Sequence, residues 1–217
     1  MPAQTGRSAK IKTTSATYST AAGEAFTSLS ATTDRTEFRI TDGAKRHWTR
    51  DLPPVILVNS TAHTDFSINY VQGKITFGNV LSTAEGDAVT GTVYWHTASF
   101  LPWTRSWTLD VQTEMLDITT LSTSTSDQEW REFAAGLSGA TVGLGRIVDT
   151  PTATTPLWYD LLNTDTDVIV ELHAASTYKF EGYATVETDG YQTTVDALQE
   201  EAVTLRVDGP LYYATTE

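Results

Sequence analysis

The sequence predicts a mainly β protein: a β-sandwich or barrel of antiparallel strands with one short amphipathic α-helix. Three observations support this fold class. Several segments alternate apolar and polar residues, turn residues such as glycine separate them, and threonine, tyrosine and tryptophan are abundant. Cysteine is absent, so no disulfide framework is expected. With 217 residues the chain is long enough to bury a large core.

The first hundred residues carry strand signals after an uninformative start. Residues 1–23 contain few large apolar side chains, and we predict that they form a flexible N-terminal arm. Residues 24–100 contain alternating segments and a plain hairpin signal at Gln72-Gly73. We interpret them as the β-rich N-terminal part of the sandwich or as a small β subdomain, and Leu101-Pro102 as the candidate boundary.

The remaining residues, 101–217, are predicted to form the core of the sandwich. Their clearest strand begins at Ser106, where Trp107 and Leu109 occupy one face and Asp110 and Gln112 the other. Later alternating segments are predicted to be further strands. Residues 157–162 fit either a short helical turn or a strand.

A helix is predicted over residues 126–137. Ser126 and Glu129 have the spacing of a capping box. Four apolar residues follow at positions i, i+3, i+4 and i+7, which share one helix face. We expect this helix to pack against the strand that begins at Ser106. The predicted packing residues are Trp107, Leu109, Trp130, Phe133 and Leu137.

The order of these elements resembles a known family. Ser106 to Asp110 is followed by Leu116-Asp117-Ile118-Thr119 and then by the predicted helix, Asp127 to Leu137. This order is similar to that of the tail tube (major tail) proteins of long-tailed bacteriophages, which carry a strand, an "LDVT"-like corner, a short helix and another strand. The resemblance covers residues 106–149 well and the rest to Thr215 loosely, whereas residues 24–96 match only in style.

The resemblance implies a structural virion protein rather than an enzyme. It would be made in the host cytoplasm and carried in the phage tail. The resemblance implies a homo-oligomer: hexameric rings that stack into a tube, with the sheets of neighbouring subunits joined into a continuous inner barrel. DNA would pass through the lumen during ejection without specific binding, and other tail proteins would contact the tube ends. No cofactor and no membrane contact are implied.

Charge is distributed unevenly along the chain. Residues 1–100 carry nine Lys/Arg and eight Asp/Glu, whereas residues 101–217 carry five and nineteen. An acidic wall would repel phosphates and let a genome slide without sticking. We therefore expect the polar faces of two strands to line the lumen; the alternative is that they face bulk solvent outside. The predicted lumen-lining residues are Asp110, Gln112, Glu114, Glu181, Thr185 and Glu187.

No pattern indicates catalysis, a cofactor or a metal. The four histidines lack metal-ligand spacing. Asn163 to Asp167 begins like a calcium loop, but Val168 stands where the turn needs glycine and Ala174 where a glutamate belongs. The longest purely aliphatic run, Val55 to Val58, is too short for a membrane span.

The alternative function is a carbohydrate-binding or adhesin-like β-sandwich module. Six tryptophans are present, and they would stack on sugars if several shared an exposed face. Trp107 and Trp130 are interpreted as core residues, which weakens this alternative. The remaining four are Trp48, Trp95, Trp103 and Trp158.

Overall fold

The computed structural model describes residues 10–29, 35–82, 88–101, 103–117, 133–147, 158–164, 166–174, 178–192 and 199–215. Within these residues the chain forms thirteen strands and one short α-helix, and every strand pair is antiparallel. The predicted mainly β fold class with one short helix is confirmed, although the helix lies elsewhere in the chain than predicted.

The elements follow in chain order. The strands before the helix are β1 (Lys10–Ser28), β2 (Arg35–Ile40), β3 (Val55–Val58), β4 (Thr61–His63), β5 (Phe66–Asn69), β6 (Lys74–Leu81), β7 (Val89–Phe100), β8 (Thr104–Asp117) and β9 (Phe133–Ile147). The helix is α1 (Trp158–Thr164), and the strands after it are β10 (Val168–His173), β11 (Tyr178–Gln192), β12 (Glu200–Val207) and β13 (Tyr212–Thr215).

The strands form a main sheet with the order β4-β3-β7-β1-β10-β11-β12-β9-β8. Strands β4 and β8 therefore stand at its two ends. β13 pairs with the start of β11. The end of β1 also pairs with β2, β2 pairs with β6, and β6 pairs with β5. The long strand β1 thus belongs to both parts of the β structure.

Two large apolar cores result. The first core lies between α1 and one face of strands β8 to β12, where Trp158, Leu161, Val142 and Leu205 are buried. The second core lies between the β1-β7-β3 strands and the β2-β6-β5 strands, and contains Phe38 among other buried aromatic residues. The first core takes one residue, Ile11, from the start of β1, and the rest of its buried members lie between residues 101 and 207.

The predicted helix at 126–137 is wrong for its last five residues. Phe133 to Leu137 belong to β9, where Phe133 pairs with Asp117 and Ala135 with Met115. Residues 126–132 lie outside the described residues. Gly136 and Gly139 lower the helix propensity of this segment. The long strand β8 provides backbone hydrogen-bond partners, so the segment forms a strand although its apolar residues have helical spacing.

The predicted flexible arm also needs correction. Lys10 to Gly23 belong to β1, which pairs with β7 and β10, while residues 1–9 lie outside the described part of the chain. Backbone pairing on two sides stabilises this segment although it has few large apolar residues. The amino-acid composition of a segment alone does not reveal such pairing.

Candidate assembly and channel surfaces

One face of the strands β8, β9 and β12 is polar, and no described segment of the chain covers it. Strict cross-strand registers place Asp110 opposite Thr141, Thr141 opposite Arg206 and Arg206 opposite Thr185. The alternate residues, such as Leu109 and Val142, face the first core. We name this surface the open face, and it consists of Thr108, Asp110, Gln112, Gly139, Thr141, Gly143, Thr204, Arg206 and Thr185.

Glycines leave room on the open face for the side chains of the neighbouring strand, so few side chains protrude from it. A Cβ atom added at Gly143 would lie 2.6 Å from Thr108 Oγ1, and one added at Gly145 would lie 2.8 Å from Ser106 Oγ. The hydroxyl side chains of β8 therefore occupy the space above glycines of β9. Both distances are shorter than those that Cβ atoms make in proteins. Any residue other than glycine at 143 or 145 would therefore displace the hydroxyl group. The surface that results is flat, small and polar.

Three of the predicted lumen residues share the open face. Asp110 and Gln112 are exposed on it, and Gln112 Nε2 donates to Asp110 Oδ2 at 2.6 Å. Thr185 lies in the same cross-strand row as Asp110 and is half-buried. Glu114 and Glu187 are exposed, but each lies at a register shift, so strand alternation does not assign them to this face.

The burial of Glu181 contradicts the prediction that this residue lines the lumen. Its side chain is 1% exposed, and it contacts Lys179 at 3.0 Å, Arg46 at 3.3 Å and Gln72 at 2.9 Å. Burial raises the pKa of Glu181, against the lowering effect of the Arg46 charge. Alternation along β11 indicated the correct face of the strand. It did not indicate that a distant segment of the chain covers that face.

The covering segment is held by a group of buried and half-buried ionisable side chains. We name this group the buried ionisable cluster, and it consists of Lys12, Arg46, His47, Glu171, His173, Lys179 and Glu181. Glu171, which is 1% exposed, is its centre. One carboxylate oxygen of Glu171 contacts Arg46, His47 at 2.8 Å and Lys179 at 3.1 Å. The other contacts Lys12 at 3.4 Å and His173 at 2.9 Å.

Electrostatics favour the ionised form of Glu171. Burial by itself would raise the pKa of Glu171, but the hydrogen bond from His47 and the charge of Arg46 hold it well below the ordinary value. The cluster joins β1, β10, β11 and the segment after β2 in one ionic contact. Sequence reasoning missed it because its members are far apart along the chain.

Strand β8 is a long, unprotected edge. It has fourteen residues, contains no proline or lysine, and pairs only with β9 among the described strands. Exposed apolar residues accumulate toward the far end of the β8–β9 pair. We name these the edge patch, with their exposed fractions: Val111 59%, Met115 58%, Leu116 49% and Leu137 83%. Exposed edges with apolar side chains favour association with another chain.

The predicted packing residues divide between these surfaces. Trp107 and Leu109 are half-buried and pack against the first core. Leu137 is 83% exposed, so its predicted packing is wrong, because β9 extends past the end of the core at that point. Phe133 has strand backbone, and its side chain lies outside the described residues, as does the whole of Trp130.

Neither a metal centre nor a spanning helix is present in the described part of the chain. No group of three or more His, Cys, Asp or Glu side chains there is arranged to hold a metal ion. No helix among the same residues is long and apolar enough to cross a membrane.

Comparison with known proteins finds similar solved structures. No protein-family model and no curated protein matches the chain. The virion of a native gene transfer agent particle matches with a TM-score of 0.46 and 13% identity, over 54% of this chain and 88% of that one. The tail of the empty particle, refined with C6 symmetry, gives 0.47 and 14%, over 54% and 87%. The SPP1 tail tube gives 0.42 and 13%, over 56% and 69%.

These likenesses concern about half of the chain. Two of the three are described as a tail or a tail tube, which is the class that the sequence resembles. Because every TM-score is below 0.5 and identity does not exceed 14%, they assign no function by themselves. The functional argument therefore rests on the geometry of this chain.

Proposed function

We propose that the protein is a structural subunit of a phage tail tube, in which copies close into rings and the rings stack. The observation that carries the proposal is strand β8, whose fourteen-residue edge and apolar edge patch have no cover among the described residues. A closed ring pairs such an edge with a neighbouring copy and removes the aggregation hazard. A ring of six copies fits the family that the sequence resembles. The role requires no catalysis.

We further propose that the open face lines the channel of the tube. It belongs to the strands next to the β8 edge, so ring closure through β8 would continue it from one copy to the next. Its named members include one acid, Asp110, and one cation, Arg206, while the others are uncharged. A flat wall of hydroxyl groups and glycine offers few cations to hold phosphates, so DNA would pass without strong binding.

Electron microscopy of the purified protein tests the proposed assembly. We expect negatively stained rings with a central channel, and tubes at higher protein concentration. A protein that remains monomeric by light scattering over the whole accessible concentration range would contradict the proposal. A ring number other than six would contradict only the symmetry.

The edge patch provides the first prediction. Replacing Val111 by lysine is expected to reduce ring formation, because it places a charge among apolar residues that would be covered in the ring. The association constant, measured by analytical ultracentrifugation over a range of protein concentrations, should fall about tenfold for each 1.4 kcal/mol of lost association energy. Val80→Lys is the matched control, since Val80 is 56% exposed on β6, away from β8. Equal loss in both variants would show that the edge patch is not the interface.

The open face provides the second prediction. Thr108→Lys combined with Thr204→Lys is expected to give tubes that retain short DNA duplexes, because lysines on the channel wall would bind phosphates. Tubes assembled with labelled duplex and then treated with nuclease should keep protected DNA, and the retained amount should fall steeply with salt. Thr61→Lys, on exposed strand β4, is the control with an added outer charge. Retained DNA that nuclease removes completely would place the open face on the outside.

The carbohydrate-binding alternative finds little support in the positions of the tryptophans. Trp48 and Trp158 are buried, and Trp95 and Trp107 are half-buried against the cores. Among the described tryptophans only Trp103 is exposed, at 61%. A flat platform of several aromatic rings, as sugar stacking requires, is therefore not formed by the described residues.

A further inference from the structure

The middle of strand β1 has a backbone edge that no described strand pairs with. β10 pairs with β1 only from Lys10 to Thr13, and β2 pairs with it only from Phe26 to Ser28. Between these contacts β7 is the single described pairing partner, and it occupies one of the two edges of β1. We name residues 17–23 of β1 the free segment. Their second edge is open to another strand.

The free segment is accessible to solvent. All of its residues are exposed except Ala21, which is half-buried. Tyr18 is 47% exposed although its ring packs edge-on against Tyr94, with 6.0 Å between the ring centroids. The segment contains neither proline nor a charged residue, which are the usual means of protecting a strand edge. The free segment and β8 are therefore two unprotected edges of the same chain.

Two other described stretches of similar length pair on one side only, residues 187–192 of β11 and residues 133–139 of β9. Both are less suited to receive β8. The β11 stretch carries two acidic residues, and β8 exposes three, Asp110, Glu114 and Asp117. Like charges opposite each other destabilise strand pairing. The β9 stretch contains two glycines in its interior and at its end, and glycine weakens a strand.

The charges around the free segment suit an acidic strand. The nearest acidic residue along β1 is Glu24, and Lys45 neutralises it at 2.6 Å. On the other side of the segment, β1 carries Lys10, which is exposed, and Lys12. Strand β8 would therefore meet an uncharged edge with cations beside it and no uncompensated acid.

We propose that the free segment of β1 pairs with strand β8 of the adjacent copy in the ring. This inference rests on the proposed tube and identifies the second surface of the contact within a ring. Each copy would offer β8 to one neighbour and β1 to the other, so the contact joins two different surfaces of the chain. Repetition of such a contact closes a ring in which neither edge stays exposed.

Site-directed crosslinking tests this pairing. The chain contains no cysteine, so introduced thiols are the only ones present. Thr20→Cys, in the middle of the free segment, combined with Thr113→Cys of β8 should give a ladder of covalent oligomers with a short bismaleimide. Each single variant should give dimers at most. Tyr191→Cys combined with Thr113→Cys is the matched control, because Tyr191 is exposed on the other one-sided edge, and it should give no ladder.

A pair of charge variants gives a second, independent measurement. Ala22→Glu adds an acid to the free segment, where it would meet the acids of β8, whereas Ala22→Lys adds a cation at the same place. The association constant of Ala22→Glu should be about fivefold lower than that of Ala22→Lys. Thr61→Glu on the exposed strand β4 is the control and should associate like the original chain.

Several outcomes would overturn the inference. A ladder from the Tyr191 pair instead of the Thr20 pair would show that β11 receives β8. The inference would also be wrong if a Thr20 and Thr113 double variant that forms rings gave no ladder, or if both Ala22 variants associated equally. In each of these cases rings are still seen by electron microscopy and the proposed function stands. Absence of rings from the original chain would contradict the proposed function, and the inference with it.

Discussion

Replacing Glu171 by glutamine is expected to lower the free energy of unfolding by about 3–5 kcal/mol, the range measured when one partner of a buried ion pair is removed. The physical reason is that Arg46 and Lys179 would remain buried with an uncharged amide in place of Glu171, and Glu181 would be their one remaining carboxylate partner among the described residues. Urea denaturation at pH 7 measures the change. Glu200→Gln is the control, because the Arg105–Glu200 pair is 56% exposed on both sides and such pairs contribute about 0–1 kcal/mol.

The effect of this substitution should depend on pH in one direction. Because the pKa of Glu171 is lower in the folded protein than its ordinary value of 4.5, its contribution to stability is fully present above pH 4.5. It is lost as the pH falls from there toward the lowered value. The difference in unfolding free energy between the original chain and Glu171→Gln should therefore be constant at neutral pH and shrink below pH 4.5. A difference that grows on acidification would contradict the assigned role of Glu171.

The second large effect is expected at Trp158. Trp158→Ala should lower the free energy of unfolding by about 3–5 kcal/mol, because it empties a large buried volume beneath α1. The helix has seven residues, which is too short to be stable without its packing. Far-ultraviolet and near-ultraviolet circular dichroism during thermal unfolding would follow the helix and the core together.

A conservative substitution distinguishes packing from hydrogen bonding at this position. Trp158 Nε1 is buried and has no hydrogen-bond partner among the described residues. Trp158→Phe therefore loses some contact area but no hydrogen bond, and it should cost clearly less than Trp158→Ala. An equal loss in both variants would mean that the indole nitrogen makes a contact essential for the fold.

Sequence patterns predicted the fold class because strand alternation is a local property. The alternation from Ser106 to Thr113 indicated which side chains of β8 face the core, and Trp107 and Leu109 do pack there. The same reasoning failed at residues 133–137, where apolar residues fit a helix face but the backbone pairs with β8. Local periodicity does not reveal a distant strand that competes for the backbone.

The candidate site was less predictable than the fold. Asp110 and Thr185 lie on one face only because β9 and β12 stand between their strands. The sequence of neither segment indicates that strand order. Glu181 lies on the same side of β11, yet a segment 135 residues earlier, at Arg46, covers it. Which parts of a face remain open depends on contacts between distant segments, and a single sequence does not supply them.

The sharing of β1 between both cores also governs the order in which the chain can fold during synthesis. The second core needs residues 26 to 93 and can close early, once they have emerged from the ribosome. The first core needs Ile11 at one end of the chain and Val207 near the other. Pairs such as Lys10 with His173 close very long loops, which slows folding. The start of β1 must therefore wait for its β10 partner until translation is nearly complete.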